Sequence, residues 1–153
     1  MEPRTNIQDP FPAAHGIGQG LWTLTLAGGA AFWIIDFGMA VSPIAVEYRA
    51  AFSIASLPVA LAEAFAGGLV IAFCVSLLLL RFYDRIPANK PTFKAMILSL
   101  AAMFLVEIFS TLADPSRAFT CMVIDTVMNL PRFIAMGTAI GFRYTQLYKG
   151  KYS

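Results

Sequence analysis

Long apolar runs alternate with short polar breaks along this chain, and each run is long enough to cross a bilayer. The runs cover about 20–42, 54–80, 92–112 and 118–142. A helix rises about 1.5 Å per residue and the hydrocarbon layer is about 30 Å thick, so roughly twenty residues suffice to span it. The pattern predicts an all-α integral membrane protein, with four transmembrane helices in a compact bundle. Turn-forming residues mark the breaks: Pro43 after the first run, Pro87 and Pro91 around the second break, and Asp114-Pro115-Ser116 in the third. Pro58 falls in the first turn of the second helix, where its missing N–H removes no hydrogen bond.

Residues 1–19 hold Pro3, Pro10, Pro12, Gly16 and Gly18, a composition that predicts a cytoplasmic arm outside the spans. Residues 20–148 form the membrane domain. Residues 149–153 form a basic tail suited to a membrane interface. The first run does not read as a cleaved signal peptide, because only Arg4 precedes it and Asp36 lies within it.

Composition confirms the class. Of 153 residues, 58% are hydrophobic and 13% charged, with mean hydropathy +0.70, whereas soluble domains carry about 25% charged residues. A formal charge of +2 without a basic stripe argues against nucleic acid as a partner. The single histidine, His15, lies in the arm, so no haem or zinc site is expected in the spans. Cys74 and Cys121 are placed at opposite depths, too far apart for a disulfide.

Charge asymmetry orients the chain. Arg4, Arg81, Arg85, Lys90, Lys94, Arg143, Lys149 and Lys151 fall on one side, against Arg49 and Arg117 on the other. The positive-inside rule then predicts that both termini are cytoplasmic.

Two small-residue patterns predict close helix contacts. Ala60, Ala64, Gly68, Ala72 and Ser76 recur every four residues, and Gly137 with Gly141 forms a GxxxG pair. Besides the lipid bilayer, the expected partners are further copies of the chain or the other subunits of a membrane complex. Met96 and Met103 lie seven residues apart. Core packing is expected of them rather than a thioether path for copper.

The candidate site comes from polar residues inside apolar runs. Asp125, Asn129 and Arg132 follow one another at spacings of four and three, which places them on one helical face. Each span also contributes one carboxylate: Asp36, Glu63, Glu107 and Asp125. A rise of about 1.5 Å per residue puts all four roughly 6 to 8 Å to the outer side of the span midpoints. A charge at the bilayer centre costs about 2.5–3.5 kcal/mol on insertion scales. Desolvation and repulsion therefore forbid four ionised carboxylates at one level. Protonation, a bound cation or Arg132 has to relieve them. The metal, if one binds, is not specified by this pattern.

Three functions fit this chemistry. The first is a transporter or channel subunit with a carboxylate-lined cation or proton-coupled site formed by Asp36, Glu63, Glu107, Asp125, Asn129 and Arg132. The second is a non-catalytic accessory or assembly subunit. The third is an intramembrane acid–base hydrolase. Fragments such as Ile35-Asp36 and Tyr48-Arg49-Ala50-Ala51-Phe52-Ser53, with the four-span layout, are similar to lipoprotein signal peptidases, whose architecture has both termini inside and two catalytic aspartates. The catalytic Asn and Asp motifs of that family do not stand around Asp114 or Asp125. The resemblance is therefore architectural, and non-enzymatic function is the expectation.

Overall fold

The computed structural model describes residues 14–42, 56–113 and 118–148. The arm before Ala14, the segment 43–55, the turn 114–117 and the tail 149–153 lie outside the described residues, as do the side chains of 14–17 and 113–124, Cys121 among them. Among the described residues there are four long helices: α1 Ala14–Ala40, α2 Leu57–Phe82, α3 Pro91–Ala113 and α4 Ala118–Tyr148. A 3₁₀ turn, Tyr83–Arg85, leads out of α2. No strand occurs among the described residues.

Three helical stretches are long and apolar enough to cross a membrane: Gly18–Ala40, Leu57–Arg85 and Pro91–Leu112. The molecule is also turned inside out relative to a water-soluble protein. Trp22, Ile34, Val70, Phe109 and Leu112 are more than 60% exposed, while Asp36, Ser76, Lys94, Ser99 and Glu107 are buried. Water rarely tolerates an apolar surface of this extent, and lipid does.

Helix limits differ from the apolar runs for a physical reason. α1 begins at Ala14, so residues 14–19, expected in the arm, are already helical. α4 continues to Tyr148, beyond the expected end at 142. Apolar runs mark what is to be removed from water; backbone hydrogen bonding extends a helix past them. Pro58 sits in the first turn of α2, as expected, and the Val59 and Ala60 amides donate to the Ser56 carbonyl at 2.9 and 3.1 Å.

Around the bundle the order is α2, α1, α4, α3, with a lighter contact between α2 and α3. Glycine decides how closely these neighbours approach. A Cβ placed on Gly28 would come within 2.6 Å of Ile140 and 3.2 Å of the Ala72 methyl. On Gly68 it would stand 2.7 Å from the Phe32 ring. The small-residue stripe of α2 thus receives α1 of the same chain: Gly68, Ala72 and Ser76 are buried, while Ala60 and Ala64 are half-buried. Gly137 and Gly141 likewise meet the backbone of α3 at Met96 and Thr92.

The core between the helices holds Leu24, Phe32, Val75, Leu79, Met103, Phe133, Met136 and Ile140. Phe32 and Phe133 meet edge to face, with centroids 5.5 Å apart, a favoured aromatic geometry. Within it the Ser99 hydroxyl donates to the Phe133 carbonyl at 2.8 Å, tying α3 to α4.

Candidate functional site

Arg132 on α4 is the centre of a polar cluster that joins three helices. Its Nη2 lies 2.6 Å from Asp36 Oδ1 on α1, and its Nη1 donates to Asn129 Oδ1 at 2.8 Å on α4. Asn129 Nδ2 in turn donates to Glu107 Oε1 on α3 at 2.7 Å. Asp36 and Glu107 are 6% and 4% exposed. The arrangement is therefore a continuous chain from Asp36 through Arg132 and Asn129 to Glu107, buried at its two carboxylate ends and half-buried at Arg132 and Asn129.

Local sequence explains each position. Asn129 and Arg132 are three residues apart on one helix, which brings their side chains to the same face. Pro131 lies between them inside α4; it has no N–H, so the helical bond normally made to the carbonyl four residues earlier is missing. The long aliphatic stem of arginine carries the guanidinium across to α1. Its planar fork has donors to spare: Arg132 Nε is buried and without a hydrogen-bond partner among the described residues.

Of the six residues expected in the site, the structure links Asp36, Glu107, Asn129 and Arg132. Asp125, one turn before Asn129, is half-buried and also has an interaction partner. Glu63 lies elsewhere. It is exposed on α2, beside the exposed Ala62, Ala66 and Gly67 rather than with the buried Gly68 and Ala72. The common level expected of the carboxylates from residue counting does not by itself give them a shared direction, because helix rotation decides which ones face inward.

The charge balance within the cluster is uneven. The guanidinium neutralises Asp36 directly. Glu107 rests on an amide, a neutral donor, and makes no ion pair among the described residues. Among the described residues no three histidine, cysteine or carboxylate groups gather in a metal-holding arrangement.

A second polar cluster at the opposite end has no counterpart in the sequence reading. Lys94, 7% exposed, donates from Nζ to the Tyr83 carbonyl at 2.5 Å and stands 3.9 Å from the centroid of the same ring. Tyr83 stacks on Tyr144 at 4.9 Å and 9°, and Tyr144 lies against Tyr148 at 4.7 Å. A Cβ on Gly20 would come within 2.7 Å of the Tyr148 hydroxyl oxygen, so glycine leaves room for that ring. The available signal was the run of tyrosines at 144 and 148, one turn apart.

No protein-family model, curated protein or solved structure matches this chain. The functional reading therefore rests on the cluster itself.

Proposed function

We propose that the chain is a small polytopic membrane protein, a transporter or channel subunit with a proton-coupled site in the outer half of the bilayer. In this reading all four helices span, both termini are cytoplasmic, and Glu107 is the group that gains and loses the proton. One observation carries it: Glu107 is buried against a neutral amide while the neighbouring guanidinium is engaged with Asp36. Ionisable groups inside a membrane mark proton relays and ion paths more often than scaffolding. Interhelical polar contacts in lipid average only about 0.6 kcal/mol in measured cycles, a small return for keeping a carboxylate in the core.

The test is proton movement into proteoliposomes under an imposed potassium diffusion potential, read by a pH-sensitive dye in the lumen. Wild type is expected to acidify the lumen, and Glu107→Gln to abolish this at normal folded yield. Glu63→Gln, at an exposed position, is expected to keep it. Wild-type flux in Glu107→Gln removes the reading.

The accessory-subunit reading has one observation in its favour. The Asp36–Arg132 pair and the Asn129 bridge close on each other, as a polar pin between helices does. Persistent co-purification with larger subunits in mild detergent, together with no proton movement by the chain alone, supports that alternative.

A further inference from the structure

The amide of Asn129 has no choice of orientation. A guanidinium carries donors only, so the end of the amide that faces Arg132 Nη1 is its oxygen. The nitrogen end is then left toward Glu107, where Nδ2 donates to Oε1. That oxygen is an acceptor in both states of the carboxyl group, and the acidic proton binds on the other oxygen, Oε2. Arg132 thereby decides, through Asn129, what Glu107 meets.

The same contacts carry information in the other direction. A hydrogen bond to an ionised carboxylate is roughly twice as strong as one between neutral groups. Ionised Glu107 therefore pulls harder on Nδ2, polarises the amide and increases the demand of Oδ1 on Nη1. Nη1 and Nη2 belong to one delocalised cation, and Nη2 serves Asp36. Resting on the proton-coupled reading of Glu107, we propose that Asn129 is a positioning residue that couples the charge of Glu107 on α3 to the Asp36–Arg132 ion pair between α1 and α4. Proton binding at Glu107 relaxes the amide and strengthens the ion pair; proton release loosens it.

Among the described residues the other charged groups on the helices packed with Glu107 are few. Asp36 on α1 and Arg132 on α4 belong to the chain of contacts. Asp125 on α4 lies one turn from Asn129 and also has an interaction partner. On α2 the single acid, Glu63, is exposed. Thr111, on the same helix as Glu107, donates to the Glu107 backbone carbonyl at 2.8 Å and not to its carboxyl group.

Infrared difference spectroscopy of the reconstituted full chain tests the coupling, with the Glu107 carboxyl band identified by its loss in Glu107→Gln. Asp36→Asn is expected to shift that band although no hydrogen bond joins Asp36 to Glu107, because the released guanidinium turns more fully to Asn129. Adding Asn129→Ser, which is polar but too short to bridge, is expected to remove at least half of the shift. In parallel, the melting-temperature losses of Asp36→Asn and Glu107→Gln are expected to be non-additive with Asn129 present and additive in Asn129→Ser. If Asn129→Ser fails to fold, Arg132→Lys serves, since it keeps the charge but lacks the fork. An unshifted band in Asp36→Asn overturns the proposal, as does an equal shift in both backgrounds. These readouts do not depend on proton movement, so failure of the transport reading and failure of the coupling are separately visible.

Discussion

Gly137 on α4 is pressed against the backbone of Met96 on α3: a methyl group built at Gly137 would stand 2.8 Å from Met96 Cα and 3.1 Å from its nitrogen. Backbone cannot move aside as a flexible side chain does. Gly137→Ala is therefore expected to destabilise the protein, by about 1–3 kcal/mol on the scale of overpacked cores. Gly67→Ala, with nothing within 4 Å of the added carbon, is expected to be neutral. Thermal unfolding in detergent compares the two, and equal tolerance would mean that α3 and α4 are farther apart than described.

Asp36 and Arg132 separate pairing from mere proximity. Asp36→Asn leaves the guanidinium without its carboxylate, and breaking a buried pair costs about 3 kcal/mol or more. Arg132 keeps 21% of its side-chain surface exposed, which places the expected loss at the lower end. The double change Asp36→Asn with Arg132→Gln is expected to recover part of the folded yield, because it leaves no uncompensated charge. A double variant no better than the worse single would show that the pair is not what holds α1 to α4.

Lys94→Met is expected to lower stability by about 1–3 kcal/mol, since it removes a charged donor from the Tyr83 carbonyl and a cation from the ring face. Near-UV circular dichroism follows the stacked tyrosines while the melting temperature reports the loss. An unchanged spectrum and melting point would mean that the ring stack holds this end without the lysine.

Topology is open to direct labelling. In a background with Cys74 and Cys121 replaced, Ala88→Cys in the turn before α3 is expected to resist an impermeant thiol reagent in intact cells, and Ser116→Cys to react. The reverse pattern would invert the bundle and move the cluster to the cytoplasmic half.

The helical class and three of the four expected spans were legible in the linear pattern, because apolar length shows directly in sequence, whereas α4 is not among the stretches apolar enough to span. The glycine contacts of α2 and α4 were legible because close approach depends on small residues at fixed spacing. Gly68, Ala72, Gly137 and Gly141 were identifiable as contact positions for that reason. The same logic found Asp36, Glu107, Asn129 and Arg132 as polar groups inside apolar runs. What it did not contain was direction around each helix axis. Gly28 and Gly29 seat α1 on Ile140 and Leu69, and the packing of α1 on α2 leaves Glu63 exposed.

Lys94 shows the same limit at the other end of the bundle. By sequence it is one more positive charge near an interface, and only the 3₁₀ turn Tyr83–Arg85, folding beside the first turns of α3, converts it into a buried donor. Depth along a helix follows from counting residues. Partnership depends on the rotation and tilt of neighbouring helices, which many weak contacts decide together, so the pairing of Arg132 with Asp36 and of Asn129 with Glu107 became determinate only in the tertiary structure.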